Sequence, residues 1–138
     1  MKAAMHATVT HVPGGPFVGK ADSGHAAVLD WSGGTDTAPS PVEMLLLSLG
    51  ACSGIDVVSI LQKARTPAES FHIEIAAERS EAHPRVFTKI HLTYVVKGKG
   101  IKETALARAI ELSEEKYCSV SAMIRDVANI TSSYRIEK

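Results

Sequence analysis
The polar and apolar positions of this chain fall into blocks of two different periods. From Lys2 to His11 the residues alternate, with Ala3, Met5, Ala7 and Val9 on one face and His6, Thr8 and Thr10 on the other. Period two predicts a half-buried strand. Pro13-Gly14-Gly15-Pro16 is a strong turn signal. Phe17 to Ala21 and Ala26 to Trp31 read as two further strands joined near Ser23-Gly24, which completes a three-stranded meander. Ser32 to Pro41, rich in Gly, Pro, Thr and Asp, reads as loop. Ser70 to Arg79 and Lys89 to Val96 alternate again, with Phe71, Ile73, Ile75 and Ala77 on one face of the first and Ile90, Leu92, Tyr94 and Val96 on one face of the second.

Helical spacing replaces alternation in two regions. From Ser40 to Arg65 a single helix is predicted: Ser40 is a cap, Pro41 occupies the first turn, Glu43 completes a capping box, and Lys63 and Arg65 suit the negative end. This helix is apolar nearly all round, so it must be buried on every side. A short chain surrounds so long a helix with difficulty, and this predicts a homodimer. Its uncharged stretch from Met44 to Ile55, closed by Glu43 and Asp56, reads as too short for a membrane span. Gly50 and Gly54 flank Cys52 and could break the helix there. Ile101 to Tyr117 reads as one amphipathic helix, Cys118 to Arg125 as a second, short one with Cys118 or Ser119 at a cap-like position, and Asn129 to Ile136 as a closing strand. The order βββ-α-ββ-αα-β has strands in hairpins, which predicts an α+β fold with antiparallel sheets around a long buried central helix.

Composition narrows the function. The 138 residues, 45% hydrophobic and 22% charged, fit one soluble domain over residues 1–138. The formal net charge is zero, which implies neither nucleic acid nor an anionic membrane as partner. Two cysteines are too few for a disulfide-stapled secreted scaffold, and the start MKAAMHATVTHV lacks the apolar stretch of a signal peptide. A reducing, cytoplasmic setting is the default, with no cofactor and no metal.

Cys52 and Cys118 are the residues best able to carry chemistry. They read either as small core hydrophobes or as a peroxidatic thiolate with a resolving thiol. A helix N-terminus stabilises a thiolate, which favours Cys118; Cys52 gains the same help only if the helix breaks at Gly50. Asp56, one turn beyond Cys52, would raise a neighbouring thiol's pKa if charged and close. Glu43 is either a functional carboxylate or a capping-box partner. Ser48, Ser53 and Ser59 read as packing or back-bonded hydroxyls. His6, His72 and His91 fall on polar strand faces, and no HExxH or CxxC spacing is present. His25 and Asp30 read as turn chemistry.

Ser40-Pro41-Val42-Glu43-Met44-Leu45, Leu49-Gly50-Ala51-Cys52 and Glu115-Lys116-Tyr117-Cys118-Ser119-Val120-Ser121 together resemble the OsmC/Ohr superfamily, and within it the YhfA-like branch. The resemblance covers the whole chain. It implies an intertwined homodimer with sites at the interface, and thiol-dependent reduction of organic hydroperoxides. Cys52 would be the peroxidatic residue, Cys118 the resolving one, and an external dithiol the reductant. Two departures stand out. The peroxidase branches carry a glutamate directly after the proline, where this chain has Val42; Glu43 is one position on, about 100° around a helix. They also use an arginine near the N-terminus, and this chain has none before Arg65, only Lys20 and His25 nearby. The alternative implied function is a non-enzymatic binding protein or redox sensor holding a small apolar or electrophilic ligand.

Overall fold
The computed structural model describes residues 4–138. Contacts divide the chain into two compact units, Met1–Leu47 and Ser48–Lys138.

In the first unit, β1 (Ala7–His11), β2 (Phe17–Ala21) and β3 (Ala26–Leu29) form an antiparallel meander. The register pairs His11 with Phe17 and Phe17 with Leu29. The first hairpin closes at Gly14, whose φ of 74° suits a residue without Cβ. β1 begins at Ala7, later than the alternation predicts; the expected start at Lys2 and Ala3 lies outside the described residues. β3 stops at Leu29, two residues before the predicted Trp31, because Asp30 turns inward. Asp30 is 1% exposed. It accepts from the Trp31 amide (2.9 Å), the Thr37 amide (3.0 Å), the Thr37 hydroxyl (2.9 Å) and the Thr35 hydroxyl. A buried carboxylate so surrounded by donors organises the loop that follows. The bond from Thr35, then those from Thr37 and Trp31, hold its pKa far below the usual range against the opposing effect of burial.

The helix α1 (Pro41–Lys63) starts as predicted. The Ser40 amide donates to Glu43 Oε1 at 3.0 Å and the Glu43 amide to Ser40 Oγ at 3.2 Å, a reciprocal capping box. Arg65, with φ of 63°, ends it, and the Thr66 amide bonds the Leu61 carbonyl at 3.0 Å. The helix runs through Gly50 without a break. Gly50 and Gly54 serve close packing instead: a Cβ on Gly50 would stand 2.8 Å from Ile75 Cδ1, and one on Gly54 3.3 Å from both Ile73 and Phe71. Within one chain, burial is confined to the stripe Leu49, Gly50, Ser53, Gly54, Val57 and Leu61. The single chain leaves the rest of the helix open, with Leu47 52% exposed and Ile55 69%. By length and composition α1 could also cross a membrane, so the limit inferred from the stretch Met44 to Ile55 does not hold. The two carboxylates at its edges leave enough apolar residues beyond them.

The second unit carries β4 (Ser70–Arg79), β5 (Phe87–Lys97) and β6 (Asn129–Glu137) in that spatial order. β4 and β5 are antiparallel, but β6 joins β5 in parallel, so this sheet is mixed where antiparallel pairing was expected. The reason lies in the connection. Two helical segments intervene, and such a crossover returns the chain in its original direction. The inner face presents Ile90, Leu92, Tyr94 and Val96, all buried, and α2 (Glu103–Leu112) adds Leu106, Ala109 and Ile110 to the core. The helix predicted to run to Tyr117 changes character at Ser113. Residues Ser113–Tyr117 form a π-helical turn, closed by the Cys118 amide on the Ser113 carbonyl at 2.7 Å. α3 (Ser119–Ile124) follows, with Cys118 as its cap.

Candidate thiol site
The π turn sets the position of Cys118. It holds one more residue than an α turn and delivers Cys118 into extended backbone, φ −76° and ψ 102°. The sulfur then caps α3 by accepting the Ser121 amide at 3.3 Å. Cys118 is 3% exposed; Cys52, near the middle of α1, is half-buried. Cys52 lies close enough to Cys118 to act on its titration, and both thiols are free. Two cysteines distant along the chain thus meet in one place.

Electrostatics at Cys118 run opposite to the expectation from its cap position. Burial, and then the neighbouring Cys52, push its pKa up from the ordinary 9.0 to about 11, while the amides of Ser121 and Val120 pull the other way and lose. Two amides of a six-residue helix do not offset removal from water. Cys118 is therefore a protonated thiol at neutral pH.

Around the thiols lies a buried hydroxyl network that the sequence reading missed. Ser53 Oγ and Tyr94 Oη are 2.5 Å apart, and Tyr94 Oη donates to Glu114 Oε1 at 3.1 Å. The single Tyr94 proton is then committed, so Ser53 is the donor of the pair. Ser132 donates to Glu114 Oε2 at 3.2 Å. Ser113 Oγ donates to Asp56 Oδ2 at 2.8 Å and also lies 3.1 Å from Ser53 Oγ. Ser53, Tyr94 and Ser113 are fully buried. Burial raises the pKa of Tyr94 well above its usual value; the charges of Glu114 and Cys118 add to this, against the bond from Ser53. Burial likewise raises that of Glu114. Glu114 opens on a groove of about 490 Å3 between α2 and β6, lined by Ala107, Ile110, Glu111, Ser132 and Tyr134 among others.

One signal pointed to this network. Tyr94 is the hydroxyl-bearing member of the otherwise aliphatic face Ile90, Leu92, Val96, and a buried tyrosine requires a partner for its O–H. Ser53, read as packing, is that partner. Asp56 does lie one turn beyond Cys52, but its carboxylate is engaged by Ser113. Glu43 closes the capping box described above, and those bonds, the amide of Ser40 first, hold its pKa below the usual value. His91 is not simply solvated: Nδ1 lies 2.7 Å from Thr131 Oγ1 and Nε2 2.9 Å from Ser133 Oγ. His72 sits 3.3 Å from Glu74, and the His6 amide donates to Asp22 at 2.8 Å.

Residues 34–133, which include both cysteine segments, match the family described as OsmC-like protein. The chain belongs to this OsmC-like family. Within the family it is 48% identical over 132 residues to Protein YhfA of Escherichia coli K12, covering 96% of this chain and 98% of YhfA. A hypothetical protein from Aquifex aeolicus VF5 shares 32% identity and the OsmC-like fold, with a TM-score of 0.81 over 99% of this chain and 100% of that one. The organic hydroperoxide resistance protein OsmC of Legionella pneumophila is 14% identical, with a TM-score of 0.64 over 96% of each chain, and shares the fold.

Proposed function
We propose that this OsmC-like chain reduces organic hydroperoxides through the pair Cys52 and Cys118. The observation that carries the reading is the proximity of the two thiols, close enough that Cys52 helps to raise the pKa of Cys118. Cys118 keeps its proton, so the attacking thiolate is assigned to Cys52. Its sulfur attacks a peroxide oxygen; an S–O bond forms, the O–O bond breaks, and the alkoxide leaves and takes up a proton as alcohol. Cys52 becomes a sulfenic acid. The Cys118 sulfur then attacks Cys52; the S–S bond forms, and hydroxide leaves with the Cys118 proton as water. An external dithiol returns the disulfide to two thiols and is itself oxidised by two electrons.

In this reading Glu43 would assist only by exchanging its bonds to Ser40 for contact with substrate. Retained turnover in Glu43→Gln would leave it as a helix cap alone. The pair itself is tested by substitution. Cys52→Ser abolishes turnover, and Cys118→Ser lets a sulfenic acid accumulate on Cys52. Parental turnover in both variants would end the proposal.

The chain acts in this reading as a homodimer and as one OsmC-like domain. Leu45, Leu47 and Ile55 of α1 are exposed apolar side chains that a second copy would cover. The division at Leu47 and Ser48 falls inside one continuous helix, which argues against separate domains. Light scattering on the eluting protein gives the mass of two chains, and that of one chain would remove the dimer. Two free thiols suit a reducing cytoplasm.

A second reading draws support from the missing arginine: there is none before Arg65 to stabilise a thiolate. The same pair would then be a redox sensor, or packing beside a bound apolar or electrophilic ligand. A single stoichiometric oxidation without turnover under excess dithiol favours it.

A further inference from the structure
Ser113 touches both cysteine-bearing segments. Its carbonyl accepts the Cys118 amide at 2.7 Å, the bond that closes the π turn. Its hydroxyl donates to Asp56 Oδ2 at 2.8 Å and stands 3.1 Å from Ser53 Oγ, on the helix that bears Cys52. One fully buried residue thus ties the backbone of one cysteine to the helix of the other.

We infer that Ser113, held by Asp56, is a positioning residue that sets the Cys52–Cys118 separation and thereby the rate and stability of the disulfide. This rests on the proposed thiol chemistry but concerns a step that can be measured without peroxide.

The physical argument is one of register. A disulfide demands Cβ atoms about 3.8 Å apart and a narrow dihedral range. A π turn holds an extra residue that a helix normally sheds, and such turns recur at functional sites. Losing that residue from the ladder would rotate Cys118 by about 100° and move it about 1.5 Å along the axis. Either change takes the sulfur out of bonding range. What opposes this relaxation is the Ser113 side chain, whose hydroxyl has its acceptor on α1. A neutral hydroxyl on a carboxylate is a charge-assisted bond, stronger than a neutral one. Asp56 is half-buried, so it holds Ser113 without being an isolated buried charge.

The test uses the full chain in four forms: parent, Ser113→Ala, Asp56→Ala and Asp56→Asn. The last keeps an acceptor for Ser113. Each is equilibrated in a dithiothreitol redox buffer to give the potential of the pair. Each is also oxidised with one equivalent of cumene hydroperoxide and the loss of both thiols followed. The expected result is that Ser113→Ala and Asp56→Ala slow disulfide closure by roughly tenfold to a hundredfold. A tenfold loss of effective concentration makes the pair easier to reduce by about 30 mV. Asp56→Asn stays near the parent, and the double variant Ser113→Ala with Asp56→Ala is no worse than either single one, as for two ends of one bond. Parental closure rates and potentials in both alanine variants would overturn the inference. A parent that closes in the dithiothreitol buffer but not with hydroperoxide defeats the peroxidase reading alone. A parent that closes in neither defeats both.

Discussion

Ser53 and Tyr94, 41 residues apart in sequence, share a buried hydrogen bond of 2.5 Å that ties the middle of α1 to the middle of β5. The tyrosine hydroxyl passes the interaction on to Glu114. Removing that one oxygen strands two groups. In Tyr94→Phe, Ser53 Oγ loses its acceptor and Glu114 its buried donor, at a cost of about 1–3 kcal/mol. Thermal or urea unfolding measures this, and a variant as stable as the parent would mean water replaces the hydroxyl.

Cys118 titrates late. Alkylation of this thiol in the parent has its midpoint near the value to which burial and Cys52 push it, about 11. In Cys52→Ala the midpoint moves back toward the ordinary 9.0 but stays above it, because burial is the larger cause. The same shift sets a stability profile. A raised folded pKa contributes stability that is complete below the ordinary value and lost as pH rises from there toward about 11. Denaturation at pH 8 and pH 10.5 shows this loss in the parent, and Cys118→Ser shows less of it.

Glu114 has the opposite chemical character to Asp30 although both are carboxylates. Burial raises Glu114, whereas hydrogen bonds lower Asp30. For Glu114 the folded state holds its proton longer than the unfolded chain. Its contribution is therefore complete below the ordinary value of 4.5 and falls as pH rises through the folded pKa. Glu114→Gln removes that fall, so its stability relative to the parent improves between pH 4 and pH 7. A difference that stays flat over this range would contradict the assignment.

Close packing of α1 on β4 is sensitive to volume at one glycine. A Cβ at Gly54 already meets Ile73 and Phe71 at 3.3 Å. Gly54→Val adds two further methyl groups there and destabilises the protein by about 1–3 kcal/mol. Gly54→Ala costs less, since Ile73 can give by a few tenths of an ångström. The order of melting temperatures, parent above alanine above valine, checks it.

Much of the architecture was legible along the chain because it depends on short-range periodicity and local capping. The alternation Phe71, Ile73, Ile75 and Ile90, Leu92, Tyr94 marked β4 and β5, and both appear with those residues on one face. Ser40 and Glu43 marked the start of α1 by a reciprocal pair of bonds that spans three residues. A cap at Cys118 or Ser119 was legible for the same reason, and the structure gives it to Cys118. The end of α2 was not: Leu112 and Ser113 continue a helical pattern, and the extra residue of the π turn is held by contacts from α1.

Sequence alone therefore determined the element order, the capping box of α1, the two cysteines as candidate chemistry and, through their flanking motifs, the OsmC-like family. Tertiary structure alone decided that the thiols come near each other, that burial raises the Cys118 pKa, that β6 pairs in parallel, and that Gly50 packs on Ile75 instead of breaking the helix. The division has a physical cause. Helix caps and periodic faces depend on neighbours within a few residues, which the chain states directly. Hydrogen bonds such as Ser53 to Tyr94 and Ser113 to Asp56 join residues 41 and 57 apart, and burial of a thiol depends on every segment packed around it.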